Sequence, residues 1–235
     1  MFWRFGGYAN ISTIDTILDK PDVTVEELLD ESDLIQELKQ NNAKLIDYLR
    51  DENVVERLLR YVVAPKPAPS PDDDATAPEK PRARRTSMDA AREGFFGRVR
   101  GKSRSQSISK QDEEESKEEK QRMKYAYMAT EILSSDVWSI TEALLENPEA
   151  LRAFWLYIKH PAPLDPVQAG YFTKVNEALF DRKTEDMLNF FKTMDNVVPD
   201  MLSHVDCPMI MDLLLKIISL EKNEGGQGII DVSQP

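Results

Sequence analysis

One cysteine, Cys207, occurs in 235 residues. An intramolecular disulfide is therefore impossible, a cysteine-built zinc site is excluded, and a reducing compartment is the natural setting. Histidine is almost as scarce. His160 and His204 are the only two, too few for a histidine-rich metal centre. The glycine cluster Gly225, Gly226 and Gly228 has no strand pattern before it and no Lys-Ser/Thr after it, which excludes a phosphate-binding loop. Long apolar runs are also missing. The longest, Met209 to Leu220, is broken by Asp212 and Lys216 and falls short of the roughly 20 residues of a membrane span. The aromatic N-terminus, Met-Phe-Trp-Arg-Phe-Gly-Gly-Tyr, is too short for a signal sequence. A soluble intracellular chain without membrane insertion is expected.

Positive charge is in deficit, with 30 Lys and Arg against 42 Asp and Glu, for a net charge of −12. A nucleic-acid-binding domain wants a basic footprint, so nucleic acid is not the expected partner. The imbalance is uneven along the chain. Residues 1–63 and 121–235 are acidic, whereas 64–120 are close to neutral and internally patterned. Arg82 to Arg104 is basic, and Asp112 to Glu119 is an acidic run. Six prolines between Pro65 and Pro81, with many serines and almost no large apolar residues, mark 64–118 as a linker. Such a composition cannot bury enough surface to offset its ordering entropy, and predicts disorder.

Outside the linker, apolar residues recur at helical spacing. Val55, Leu58, Leu59 and Val62 fit, as do Leu151, Phe154, Trp155 and Ile158, and Ile210, Leu213, Leu214 and Ile217. No run alternates with period two. An all-α fold follows, and its helices are bounded by readable caps. Thr24-x-x-Glu27 resembles a capping box, and Asn147-Pro148 and Asp165-Pro166 each offer an N-cap acceptor followed by an N1 proline. The C-terminal block reads as helices starting near 121, 136, 148, 166, 184, 196 and 208. Short consecutive helices suggest an irregular stack of the HEAT or armadillo kind, with a compact irregular bundle as the competing fold. The last helix, apolar nearly all round, is expected to have neighbours on both sides. The organisation is thus a helical part at 1–63, the linker at 64–118, a helical continuation at 119–222 and a flexible tail at 223–235.

No residues have catalytic spacing, and no cofactor is expected. Cys207 precedes Pro208 at a helix start, where a thiolate would be favoured, but neither histidine stands at a diagnostic distance along the chain. The linker carries a more specific signal. Arg84-Arg85-Thr86-Ser87 and Arg104-Ser105-Gln106-Ser107 place arginines where a basophilic kinase reads them, making Thr86, Ser87, Ser105 and Ser107 candidate phosphorylation sites.

Met1-Phe2-Trp3-Arg4-Phe5, Ile14-Asp15-Thr16-Ile17-Leu18 and Leu28-Leu29-Asp30-Glu31 resemble the N-terminus of the SAPS-domain proteins. Leu34-Ile35-Gln36-Glu37 and Asn42-x-Lys44-Leu45-x-Asp47-Tyr48-Leu49 continue the match. Beyond the linker it resumes at Tyr125-x-Tyr127-x-Ala129-x-Glu131-Ile132-Leu133-x-Ser135-Asp136-Val137, Phe172-x-Lys174-Val175, Asp181-Arg182-Lys183-Thr184 and Ile210 to Leu215. The resemblance implies a non-catalytic regulatory subunit of a protein phosphatase 6-type (yeast Sit4-type) serine/threonine phosphatase. Such a subunit binds the catalytic subunit, directs it to substrates, contributes to cell-cycle control, and works in the cytoplasm with the nucleus as a second location. The long insertion is of a kind associated with fungal members. The family domain extends beyond residue 235, so the chain is expected to be its N-terminal part.

Two places suit the partner contact that the resemblance implies. Phe2, Trp3 and Phe5, with Tyr8, fit either a staple on the first helix or an aromatic anchor. Asp181, Arg182, Lys183 and Thr184 fit either an ordinary helix corner or an exposed contact. A rival from another class is a trafficking or transport adaptor that uses the basic linker on membrane or nucleic acid. That reading predicts salt-sensitive binding through Arg82, Arg84, Arg85, Arg98 and Arg100.

Overall fold

The computed structural model describes residues 13–66 and 110–223, and every regular element among them is helical. Five short helices come first: α1 (Thr13–Leu18), α2 (Val25–Asp30), α3 (Leu34–Lys39), α4 (Ala43–Leu49) and α5 (Glu52–Val62). Then come α6 (Lys110–Leu133), α7 (Trp138–Glu146) and α8 (Pro148–Trp155), which runs into a 3₁₀ turn at Leu156–Lys159. The series ends with α9 (Pro166–Arg182), α10 (Thr184–Lys192), α11 (Val197–Leu202) and α12 (Pro208–Asn223).

Side-chain caps set several of these starts. Thr24 Oγ1 accepts the Glu27 amide at 3.3 Å, Asn147 Oδ1 the Ala150 amide at 3.0 Å, and Asp165 Oδ1 the Gln168 amide at 2.9 Å. Each satisfies an amide that the first turn leaves without a helical partner. Between α3 and α4 the chain turns on two asparagines. Asn41 takes a left-handed φ of 58°, a conformation asparagine tolerates. The Asn41 amide then reaches Leu38 O and the Asn42 amide reaches Glu37 O, closing the end of α3. Asn42 Oδ1 at once accepts the Leu45 amide to open α4.

One compact unit comprises 13–65 and 120–223 of the described chain. Its two blocks, far apart in sequence, share a single apolar core. α1 packs on α2 and α4, and α4 on α5 and α7. α5 lies against α7, α8 and α9 through Val54, Val55, Leu58, Leu59 and Val62. α9 in turn supports α10 and α12. The aromatic centre is Phe172 of α9, with the rings of Phe154, Trp155 and Tyr157 at 4.9, 5.2 and 5.1 Å. A fully buried side chain of this size contributes about 2–3 kcal/mol through the hydrophobic effect. A second unit, 66–119, is described at Lys66 and along the opening residues of α6.

Two expectations need correction. α6 begins at Lys110, not near 121, so 110–118 of the expected disordered linker is helical. Lys, Gln and Glu are strong helix formers, and no proline or glycine interrupts this stretch. Apolar periodicity gives no signal where apolar residues are absent. α12 has its described neighbours α9, α10 and α11 on one side only. Ile210, Leu213, Leu214 and Ile217 are buried there, whereas Met209 and Leu215 are exposed on the outer side.

Candidate protein-docking surface

The corner where α9 meets α10 organises the surface with the most specific geometry. α9 stops at Lys183, whose φ of −136° and ψ of 56° break the helix and let α10 reverse. All four residues of the Asp-Arg-Lys-Thr motif are engaged within the chain. Asp181 Oδ2 accepts Lys216 Nζ of α12 at 2.8 Å. Arg182 Nη2 donates to Ser134 O at 2.7 Å, and its Nε lies 3.5 Å from Asp136 Oδ1. Lys183 pairs with Glu142 of α7, and Thr184 Oγ1 donates to Phe180 O at 2.8 Å. The hydrogen bond to the Glu142 carboxylate holds the Lys183 ammonium above the usual lysine range, despite some desolvation. The motif therefore ties the end of α9 to the α6–α7 loop, to α7 and to α12.

The same lysine stands over an unexpected residue. Lys183 Nζ is 5.7 Å from the centroid of the Trp138 ring, within cation–π range. Trp138 opens α7 and is 70% exposed. Its position was readable. Val137, Ile140, Thr141 and Leu144 form the buried stripe of α7 at helical spacing, and Trp138 falls off that stripe. The family-like motif quoted above ends at Val137, one residue short of it.

Of the other expected site residues, Phe2, Trp3, Phe5, Thr86, Ser87, Ser105 and Ser107 lie outside the described residues. His204 is wholly buried, and its Nε2–H donates to Ile158 O at 2.7 Å, joining the turn after α11 to the 3₁₀ turn. Cys207 is buried, and its amide donates to His204 O at 2.8 Å. Burial pushes the Tyr157 hydroxyl far above the usual tyrosine range, with Asp165 and Cys207 adding to the effect. A small groove of about 190 Å³ runs between Trp155, Leu156 and Lys159 on one wall and Met194 and Val197 on the other. Among the described residues, no three His, Cys, Asp or Glu side chains are grouped to hold a metal. No described helix is long and apolar enough to cross a membrane.

Residues 176–234, which include the Asp181–Thr184 motif, match the family model of the SAPS, SIT4 phosphatase-associated, proteins. Extragenic suppressor of kinetochore protein 1 of Schizosaccharomyces pombe is 35% identical across 98% of this chain and 23% of its own length. SIT4-associating protein SAP190 of Saccharomyces cerevisiae is 33% identical across 95% of this chain and 23% of its own length. The serine/threonine-protein phosphatase 6 regulatory subunit 3 of Gallus gallus is 29% identical across 93% of this chain and 20% of its own length. The chain thus spans less than a quarter of the length of these relatives. No solved structure matches it significantly. Matched by the family model at 176–234 and by these relatives along nearly all its length, the chain is recognised as SAPS-family sequence.

Proposed function

We propose that this chain acts as a non-catalytic regulatory subunit, or part of one, of a protein phosphatase 6 (Sit4-type) serine/threonine phosphatase. It binds the catalytic subunit and directs it to substrates, in the cytoplasm and with the nucleus as a second location. The observation that carries this reading is similarity over 93% or more of the chain to proteins named as SIT4-associating or as phosphatase 6 regulatory subunits. A stack of short helices suits the role, since it presents surfaces and rigid corners. The kinetochore-suppressor name of the fission-yeast relative supports a link to cell-cycle control. The arginine spacing around Ser87 and Ser107 supports regulation by a basophilic kinase.

Affinity purification of the tagged chain, with and without 67–109, tests both parts. The expected result is a phosphatase catalytic subunit recovered with both forms, and phosphate mapped by peptide mass analysis between Thr86 and Ser107 of the longer one. Failure of both forms to recover a phosphatase overturns the regulatory reading. A 67–109 segment without phosphate overturns the kinase.

A further inference from the structure

α12 carries two apolar stripes. Ile210, Leu213, Leu214 and Ile217 are buried against its described neighbours. About 100° round the helix, Met211, Leu215 and Ile218 recur at i, i+4 and i+7, the spacing of a second face. Met211 and Ile218 are half-buried, whereas Leu215 is 62% exposed. This flank is not the polar side of the helix. Asp212, Lys216 and Ser219 hold that side, and Lys216 reaches from it to Asp181 of α9. Lys222, four residues after Ile218, extends the second stripe by a turn and is exposed. An apolar flank that ends in a cation suits an apolar occupant that carries an acid.

Twelve residues, 224–235, follow α12. They bring such a group, Ile229-Ile230-Asp231-Val232, after Gly225, Gly226 and Gly228. We infer that residues 229–232 fold back along α12 and cover Leu215 and Ile218, with Asp231 within reach of the Lys222 ammonium. The lengths allow it. Ile218 and Leu215 lie about 8 and 12 Å before the end of the helix at its rise per residue. Residues 224–228 span up to about 17 Å when extended, enough to reverse and return Ile229 over Ile218. Gly225 and Gly226 tolerate the left-handed backbone on which a helix ends and its chain turns back. The tether also selects the occupant. A segment on so short a linker has an effective concentration on the order of millimolar, against which a free partner or a second copy must compete. The family model, which spans 176–234, covers α10, α11, α12 and this segment together.

The test is a double-mutant cycle in the 235-residue chain. Leu215→Ser is expected to lower the melting temperature of the parent by about 3 °C, and to have no further effect in a chain carrying Ile229→Ser and Ile230→Ser. Equal losses in the two backgrounds overturn the contact. Hydrogen exchange followed by mass spectrometry gives a second measure that needs no variant. In the parent, the amides of 229–232 should exchange about ten-fold more slowly than in an isolated 224–235 peptide. Exchange at the peptide's rate overturns the contact as well. A parent whose melting temperature rises with concentration between about 2 and about 100 µM puts a second copy on the flank and overturns the tethered segment. None of these readouts involves the phosphatase, so their outcome is independent of the regulatory reading.

Discussion

Glu26 of α2 is held from two directions by α5. Tyr61 donates its hydroxyl to Glu26 Oε1, and Arg57 Nε reaches the same oxygen at 2.6 Å. Partial burial works against the carboxylate, yet the Tyr61 hydrogen bond and the Arg57 charge outweigh it and hold the group below the ordinary value of 4.5. A carboxyl with a depressed pKa in the fold binds fewer protons there than in the unfolded chain. Its contribution to stability is therefore complete above the ordinary value and is lost as pH falls through the lower folded one. Melting temperature should accordingly drop between about pH 5 and pH 3, and Glu26→Gln should flatten that drop while lowering the plateau at neutral pH. Thermal melts of both proteins across this range check it, and an unchanged slope in Glu26→Gln would remove the clamp from the account. Asp30 adds to the same acid limb, because the Lys124 hydrogen bond, with one from Tyr125, lowers its pKa despite some desolvation. A residual slope in the variant is expected for that reason. None of this network was legible beforehand, since its partners lie about 30 or more residues apart and share no motif.

At the scale of elements, α9 is the strut on which the second block is built, because α5, α10 and α12 all pack against it. Its start depends on Asp165, which accepts the Gln168 amide at 2.9 Å, with Pro166 at the first helical position. Removing an N-cap side chain of this kind costs about 1 kcal/mol. Asp165→Ala should therefore lower stability by about that amount, and Asp165→Asn by less, as read from urea unfolding midpoints at constant slope. Equal stability of Asp165→Ala and the parent would show that the proline alone sets the start. This helix was readable in advance, as was α8, because cap, proline and apolar period agree on where each begins, whereas α10 was readable from its apolar period and the acids of its first turn. The early start of α6 was not, because its first residues carry no apolar face. The exposed side of α12 was missed for the converse reason. An apolar stripe announces burial, but it does not say how many neighbours will supply it. The corner motif was found by its resemblance, whereas its role as a tie between α6–α7, α7 and α12 depends on pairings at sequence separations of 35 to 48 residues.

For the whole molecule, the decisive fact is that helices on either side of the insertion share one core. α5 is buried against α7, α8 and α9, and Ala64 O, at the end of the first block, accepts Arg122 Nη1 at 2.8 Å and Gln168 Nε2 at 2.5 Å. The first block alone would leave the buried faces of α4 and α5 uncovered, so neither block is expected to be stable by itself. The insertion is then a connection between two halves of a single folding unit, and its length affects stability only through the entropy of closing it. Each doubling of such a connection costs about 0.6 kcal/mol. Replacing 67–109 by a Gly/Ser linker of about a dozen residues should raise stability by about 1 kcal/mol and leave cooperative unfolding intact. Urea unfolding followed by both far-ultraviolet circular dichroism and tryptophan fluorescence checks this, since a single unit gives coincident transitions. Two separated transitions, or a shortened chain much less stable than the parent, would mean that 67–109 contributes packing and not only length. If the shortened chain keeps its stability and cooperative unfolding, the insertion is free to change without disturbing the helical core.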